Sequence, residues 1–199
     1  MEHYYSSHPS TDHDVEEIDE YFGNHNFHFS TDSGVFSKGK MDKGTRLLLE
    51  SLPPLTNERA LDLGCGWGAI GIILSKLYPM ADIHLSDINP RAVSLAKKNA
   101  KANQVSVTLH KSDMFENIEL SFDMIVTNPP IRAGKETTYA MIKEGHGHLN
   151  DGGTFFSVVR TKQGAKSYGE ELERVFGNAE IVNRGGGYKV FKAIKDESR

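Results

Sequence analysis

Leu61-Asp62-Leu63-Gly64-Cys65-Gly66-Trp67-Gly68-Ala69-Ile70-Gly71 is the stretch whose reading decides the fold. An apolar strand runs into glycines at alternate positions and straight out into an apolar run of helical character. Glycine is needed where backbone turns sharply and must let a ligand come close. The helix that follows presents unpaired N–H groups at its start. Such a strand–turn–helix unit opens an α/β domain whose ligand lies at the carboxyl ends of the strands.

Outward from this turn the chain alternates regularly. Strands are expected at 59–63, 81–87, 105–109, 122–127 and 153–160, and helices at 68–77, 90–103, 135–149 and 163–176. Asn89-Pro90 reads as a helix cap followed by proline at the first helical position, and Ala92, Val93, Ala96 and Ala100 recur at helical spacing. This order predicts a mostly parallel sheet covered on both faces. The segments 180–183 and 188–194, joined by Arg184-Gly185-Gly186-Gly187, read as a closing antiparallel hairpin. Residues 1–55 read as an N-terminal extension packed on a core of residues 56–199. Within it, residues 1–24 are acidic and predict a solvated helix or arm. Residues 25–37 read as a short hairpin turning at Ser30–Gly34, and Asp42–Leu52 reads as a helix stopped by Pro53-Pro54.

Of 199 residues, 38% are apolar and 25% charged, which suits a globular chain with a substantial core. No apolar run approaches the roughly 18 residues of a membrane span, and no leader pattern is evident. One cysteine excludes an internal disulfide, so a cytoplasmic setting is expected. Nine histidines lack a consistent ligand spacing, so no metal is expected. The net charge of −4 argues against a broadly basic nucleic-acid binder, but it is unevenly spread. Residues 1–60 carry 5 Lys and Arg against 11 Asp and Glu, while residues 130–199 carry 12 against 9.

The glycine turn admits two cofactors. Gly66-x-Gly68-x-x-Gly71 with Asp87 further on is the dinucleotide fingerprint, which would make an NAD-dependent oxidoreductase. Asp62 favours S-adenosylmethionine (SAM) instead, because a carboxylate there attracts a cationic ligand and repels a pyrophosphate. Asp87, next to Ile88, is placed to accept ribose hydroxyls, and Asp113, next to Met114, to accept an adenine amino group. Cys65 is read as a small residue of the turn. A second motif, Asn128-Pro129-Pro130, ends the strand Phe122–Thr127. Conjugated amines and amides are poor nucleophiles. Two preorganised acceptors on their N–H groups, the Asn128 side-chain carbonyl and the Pro129 backbone carbonyl, aim the nitrogen lone pair, and the prolines stiffen the turn.

Asp62-x-Gly64-x-Gly66-x-Gly68, Asp87, Asp113 and Asn128-Pro129-Pro130 together resemble class I SAM-dependent methyltransferases that act on amino groups. Further stretches narrow the resemblance to the methyltransferase small family, near the catalytic domain of small-subunit rRNA guanine-N2 methyltransferases. These are Thr31–Ser37, Asp42-Lys43-Gly44-Thr45, Asn128–Lys135, Arg160–Ser167 and Gly187-Tyr188-Lys189-Val190. The resemblance implies a Rossmann-like, seven-stranded fold and SAM as cofactor. It also implies guanine N2 of 16S rRNA as target, with the rRNA or small ribosomal subunit as partner. Asn128, Pro129 and Pro130 would be catalytic. Asp62, Gly64, Cys65, Gly66, Gly68, Asp87, Ile88, Asp113, Met114 and Asn128 would hold the cofactor, and Phe36, Ser37, Ile131, Arg132 and Lys135 would face the substrate. Ile131 stands where the family commonly has an aromatic that stacks on the base; Phe36, Tyr139 and Tyr188 are the aromatics that could take its place. N5-methylation of a protein glutamine needs the same acceptors. A catalytically idle SAM- or RNA-binding module is the remaining alternative.

Overall fold

The computed structural model describes residues 14–35 and 37–196. It opens with a two-stranded hairpin, β1 (Val15–Phe22) and β2 (His25–Asp32), followed by α1 (Lys43–Leu49). The core then runs β3 (Arg59–Leu63), α2 (Ala69–Leu77), β4 (Asp82–Asp87), α3 (Pro90–Ala102), β5 (Thr108–Lys111) and β6 (Phe122–Thr127). A short 3-10 turn (Ile131–Ala133) leads to α4 (Lys135–Gly147), β7 (Leu149–Arg160), α5 (Ala165–Phe176), β8 (Glu180–Gly185) and β9 (Tyr188–Ile194).

Seven strands form one sheet in the order β5-β4-β3-β6-β7-β9-β8, parallel from β5 to β7 and antiparallel at β9 and β8. Strand side chains alternate between two faces. Ala60, Leu85, Val126 and Val158 join the core beneath α1, α2, α3 and the hairpin, while Leu61, Ile125, Phe155 and Phe191 join the one beneath α4 and α5. β3 and β6 are adjacent, yet the chain leaves β3 toward β4 and leaves β6 toward β7. The crevice above them is the topological switch point where open α/β sheets bind ligands. Among the described residues, no helix is long and apolar enough to cross a membrane.

The N-terminal part differs from the sequence expectation. Residues 15–22 form a strand rather than a helix or arm, and their partner is the whole of 25–32, so the turn is Gly23-Asn24 and not Ser30–Gly34. Both turn residues are left-handed, with φ 55° and 64°, as a two-residue hairpin loop requires. The acidic run tolerates a strand because its carboxylates meet cations: Glu17 pairs with Lys98, Glu20 with Arg46, and Asp14 and Glu16 with Lys38. Ile18 and Phe22 pack inward at period two. Tertiary contacts hold β2 down. Phe27 and Phe29 are fully buried, and Phe29 meets Trp67 with ring centroids 4.7 Å apart. The Asn99 amide accepts the Ser30 N–H at 2.7 Å and donates to the Ser30 and Trp67 carbonyls, and Asn103 brackets the His28 backbone in the same way. Smaller shifts occur at β5, which starts three residues later than expected, at β7, which starts at Leu149, and at α1, which stops at Leu49.

Candidate active site

The crevice is built on the turn after β3. The Gly64 and Cys65 N–H groups both donate to the Ser86 carbonyl at 2.9 Å, and the Gly66 N–H donates to Asp87 Oδ2 at 2.9 Å. The turn is thereby laced to the end of β4. Gly64 and Gly66 are left-handed, with φ 72° and 56°. A Cβ at Gly64 would meet nothing within 4 Å, because it would project into the open crevice. Asp62 is buried on the helix side, and its Oδ2 accepts the Gly71 N–H of α2 at 2.9 Å. Asp87 Oδ1 accepts the Asn89 N–H at 2.8 Å, while Asn89 caps α3 through the Arg91 N–H.

Burial dominates the electrostatics. It pushes the Asp62 carboxyl up to about 7, against the opposing Gly71 hydrogen bond and with help from the nearby Asp87 charge. Burial likewise raises Asp87 to about 6, against the N–H groups it accepts. Burial, with the neighbouring carboxylates, also pushes the Cys65 thiol up, which makes it a poor nucleophile.

Two recesses meet in the crevice. The narrower is lined by Asp62, Cys65, Gly66, Asn89, Thr45 and Ser37 among others. The wider, about 560 Å³, is lined by Ile88, Asp113, Met114, Pro130, Arg132 and Met141 among others. That size lies within the range of small-molecule sites. Gly64, Asp87 and Asn128 line both. Asn128 directly follows β6, beside the glycine turn. Its amide Nδ2 donates to Thr45 Oγ1 at 3.0 Å and to Asp42 Oδ2 at 3.3 Å. The carbonyl Oδ1 is thus the end of the amide turned away from α1. The Pro129 carbonyl accepts the Ile131 N–H at 2.9 Å, which leaves it one lone pair.

The remaining expected residues divide. Ser37 and Arg132 line the crevice. Gly68 caps α2 behind it, packed on Ile72 and Ala96. Ile131 instead packs against the α4–α5 core, and Lys135 is exposed at the start of α4; neither lines either recess. Phe36 lies outside the described residues. Ser86, Thr137 and Met141 also line the crevice and carry no signal in the sequence, while Asn89 signals its position only as a helix cap. Among the described residues, no group of three His, Cys, Asp or Glu is arranged to hold a metal ion.

A glycine turn and a rigid Asn-Pro-Pro turn on neighbouring parallel strands, with carboxylates on the next strand ends, mark the class of SAM-dependent methyltransferases. A sequence profile of the methyltransferase small domain matches residues 26–192, and the chain belongs to that family. This replaces the dinucleotide reading of Gly66-x-Gly68-x-x-Gly71. The uncharacterized protein YbxB of Bacillus subtilis is 40% identical over 198 residues, covering 98% of both chains. Ribosomal RNA small subunit methyltransferase C of Haemophilus influenzae is 36% identical over 79% of this chain, which spans only 48% of that protein. The match thus spans about half the length of this named rRNA methyltransferase. The structure of the 16S rRNA N2 methyltransferase of T. thermophilus, in complex with AdoMet and guanosine, superposes with a TM-score of 0.84 at 29% identity. It covers 94% of this chain and 52% of that one.

Proposed function

We propose that this chain methylates an exocyclic amine, guanine N2 of 16S rRNA, with SAM as donor. The observation that carries the reading is Asn128: its amide nitrogen is tied to α1, and its carbonyl is left as a fixed acceptor where the two recesses meet. The crevice suits SAM. Gly64 leaves room for close approach, Ser86 Oγ is a buried hydroxyl without a hydrogen bond among the described residues, and Asp87 and Asp113 supply acceptors. When bound, SAM supplies an electrophilic methyl group.

The chain's own residues then have these roles. Asp87 and Ser86 face the ribose, and Asp113, Ile88 and Met114 the adenine. Gly64, Cys65, Gly66 and Asp62 form the methionine end, with Gly68 holding the turn from behind. Asn128 Oδ1 and the free lone pair of the Pro129 carbonyl accept the two N–H groups of the target amine, which draws its lone pair out of conjugation. Pro130 keeps both acceptors in place, so little reorganisation is needed during transfer. Neither acceptor is a base, and the proton leaves the methylated nitrogen to water. Ser37 and Arg132 are on the substrate side, with Lys135 further out, and an rRNA substrate puts the enzyme in the cytoplasm.

Transfer of labelled methyl from SAM to naked 16S rRNA, to small subunits, or to a glutamine-bearing protein tests the proposal, followed by mapping the modified atom. Asn128→Ala is expected to lower the rate by about 10²–10³. Methylation of the protein amide and none of the rRNA would refute the guanine reading.

A further inference from the structure

Asp42 and Thr45 hold the Asn128 amide, and Asp42 is itself held. Arg160 ends β7 and pairs in register with Tyr188, the first residue of β9. Arg160 Nε donates to the Tyr188 hydroxyl at 2.8 Å, and its guanidinium lies over the Tyr188 ring, 5.1 Å from the centroid. The Tyr188 hydroxyl donates to Asp42 Oδ1 at 2.9 Å. Asp42 Oδ2 accepts the Gly44 and Thr45 N–H groups as well as Asn128 Nδ2. Gly44 belongs to the same assembly: a Cβ there would lie 2.7 Å from Cε1 and 2.8 Å from Cδ1 of the Tyr188 ring. Residues from α1, β6, β7 and β9, separated by up to 146 positions, thus end in one hydrogen-bonded chain.

An amide has nearly the same shape in its two flipped orientations, so packing hardly distinguishes them. Charge does. With Nδ2 toward Asp42 an N–H meets a carboxylate; flipped, two acceptors would face each other. Thr45 cannot choose, since a hydroxyl donates or accepts equally well. Asp42 therefore decides, and its own orientation is fixed from both sides. Arg160 has only donors, so it takes a lone pair of the Tyr188 oxygen and leaves that hydroxyl proton for Asp42.

We propose that Asp42, clamped by Tyr188 and Arg160, is a positioning residue that fixes the Asn128 amide with its carbonyl toward the substrate. This rests on the reading of Asn128 as an acceptor for the target amine. Tyr188→Phe keeps the ring against Gly44 and removes the hydroxyl. It is expected to lower kcat about 10- to 30-fold on 16S rRNA, or on the protein amide if that is the acceptor. KM for SAM and its calorimetric affinity should stay unchanged. The nitrogen–proton signals of the Asn128 side-chain amide, assigned by their absence in Asn128→Ala, should move. In the Asn128→Ala background Tyr188→Phe should cost nothing more. Asp42→Asn, which keeps a helix-capping oxygen but loses the charge, should reproduce the kcat loss and the signal shift, and serves if Tyr188→Phe folds poorly. Unchanged kcat, unmoved amide signals, or a cost that adds in full to that of Asn128→Ala would overturn the proposal. A fully active Asn128→Ala enzyme is a different result and removes the acceptor reading beneath it.

Discussion

Two buried carboxyls should make SAM binding a proton-linked event. Asp62 and Asp87 are raised to about 7 and about 6 by burial, from an ordinary value of 3.8. Below these values the free protein holds them protonated. A ligand with cationic centres at one end and ribose hydroxyls to donate at the other favours the ionised forms. If it binds only those, affinity follows the fraction of protein with both groups ionised. That fraction rises on the order of 10²–10³-fold between about pH 5 and about pH 7.5. Near pH 5 binding should release about two protons. Calorimetry in two buffers of different ionisation enthalpy measures both quantities. Asp87→Asn should remove the lower of the two steps. The stability sign runs opposite to that of a salt-bridged carboxylate. Because the folded Asp62 pKa is raised, the unfolded chain ionises first, and stability is lost as pH climbs from 3.8 to about 7. Asp62→Asn should therefore stabilise the ligand-free protein above that range, by up to something on the order of 4 kcal/mol, and leave it unchanged below 3.8. A pH-independent SAM affinity with no proton release would refute the reasoning.

Three further outcomes are expected. Gly71→Ala places a Cβ 2.5 Å from Cδ1 and 2.6 Å from Cγ of the fully buried Leu85, so overpacking should cost about 1–3 kcal/mol in urea unfolding. Asn99→Ala strips three hydrogen bonds from the backbones of Ser30 and Trp67; hydrogen exchange in β2 should accelerate selectively, and equal protection would count against the clamp. Arg132→Ala combined with Lys135→Ala should flatten the salt dependence of rRNA binding, by roughly 0.7–0.9 in log–log slope for each phosphate that is no longer neutralised, while SAM affinity stays the same; an unchanged slope would count against phosphate binding by these two side chains.

Much of the core was legible because its signals are local. Strands β3 and β6 fall at their expected bounds, and Asn89-Pro90 opens α3 as read. The glycine turn and the strand-end acids could be set together because a parallel sheet gathers its carboxyl ends on one side. What was missed depends on distant partners. The acidic run 15–22 carries no strand signal of its own; it becomes a strand by pairing along its length with β2, which Asn99 and Asn103 hold down, while Lys98, Arg46 and Lys38 meet its carboxylates. The orientation of Ile131 and Lys135 follows from the 3-10 turn that rotates the chain after Pro130, which no spacing announces. Asp42 read as part of a motif, but its link to Tyr188 spans 146 positions.

The asparagine clamp also sets an order of events during synthesis. The hairpin is made first, but the groups that pin it, Asn99 and Asn103, lie 69 and 75 positions further along. An isolated two-stranded hairpin is marginal in water. At roughly 5–20 residues per second, the ribosome takes about 4–15 s to deliver those asparagines. Trp67, which meets Phe29, is delivered earlier, so the apolar face of β2 gains its ring partner before its backbone is pinned.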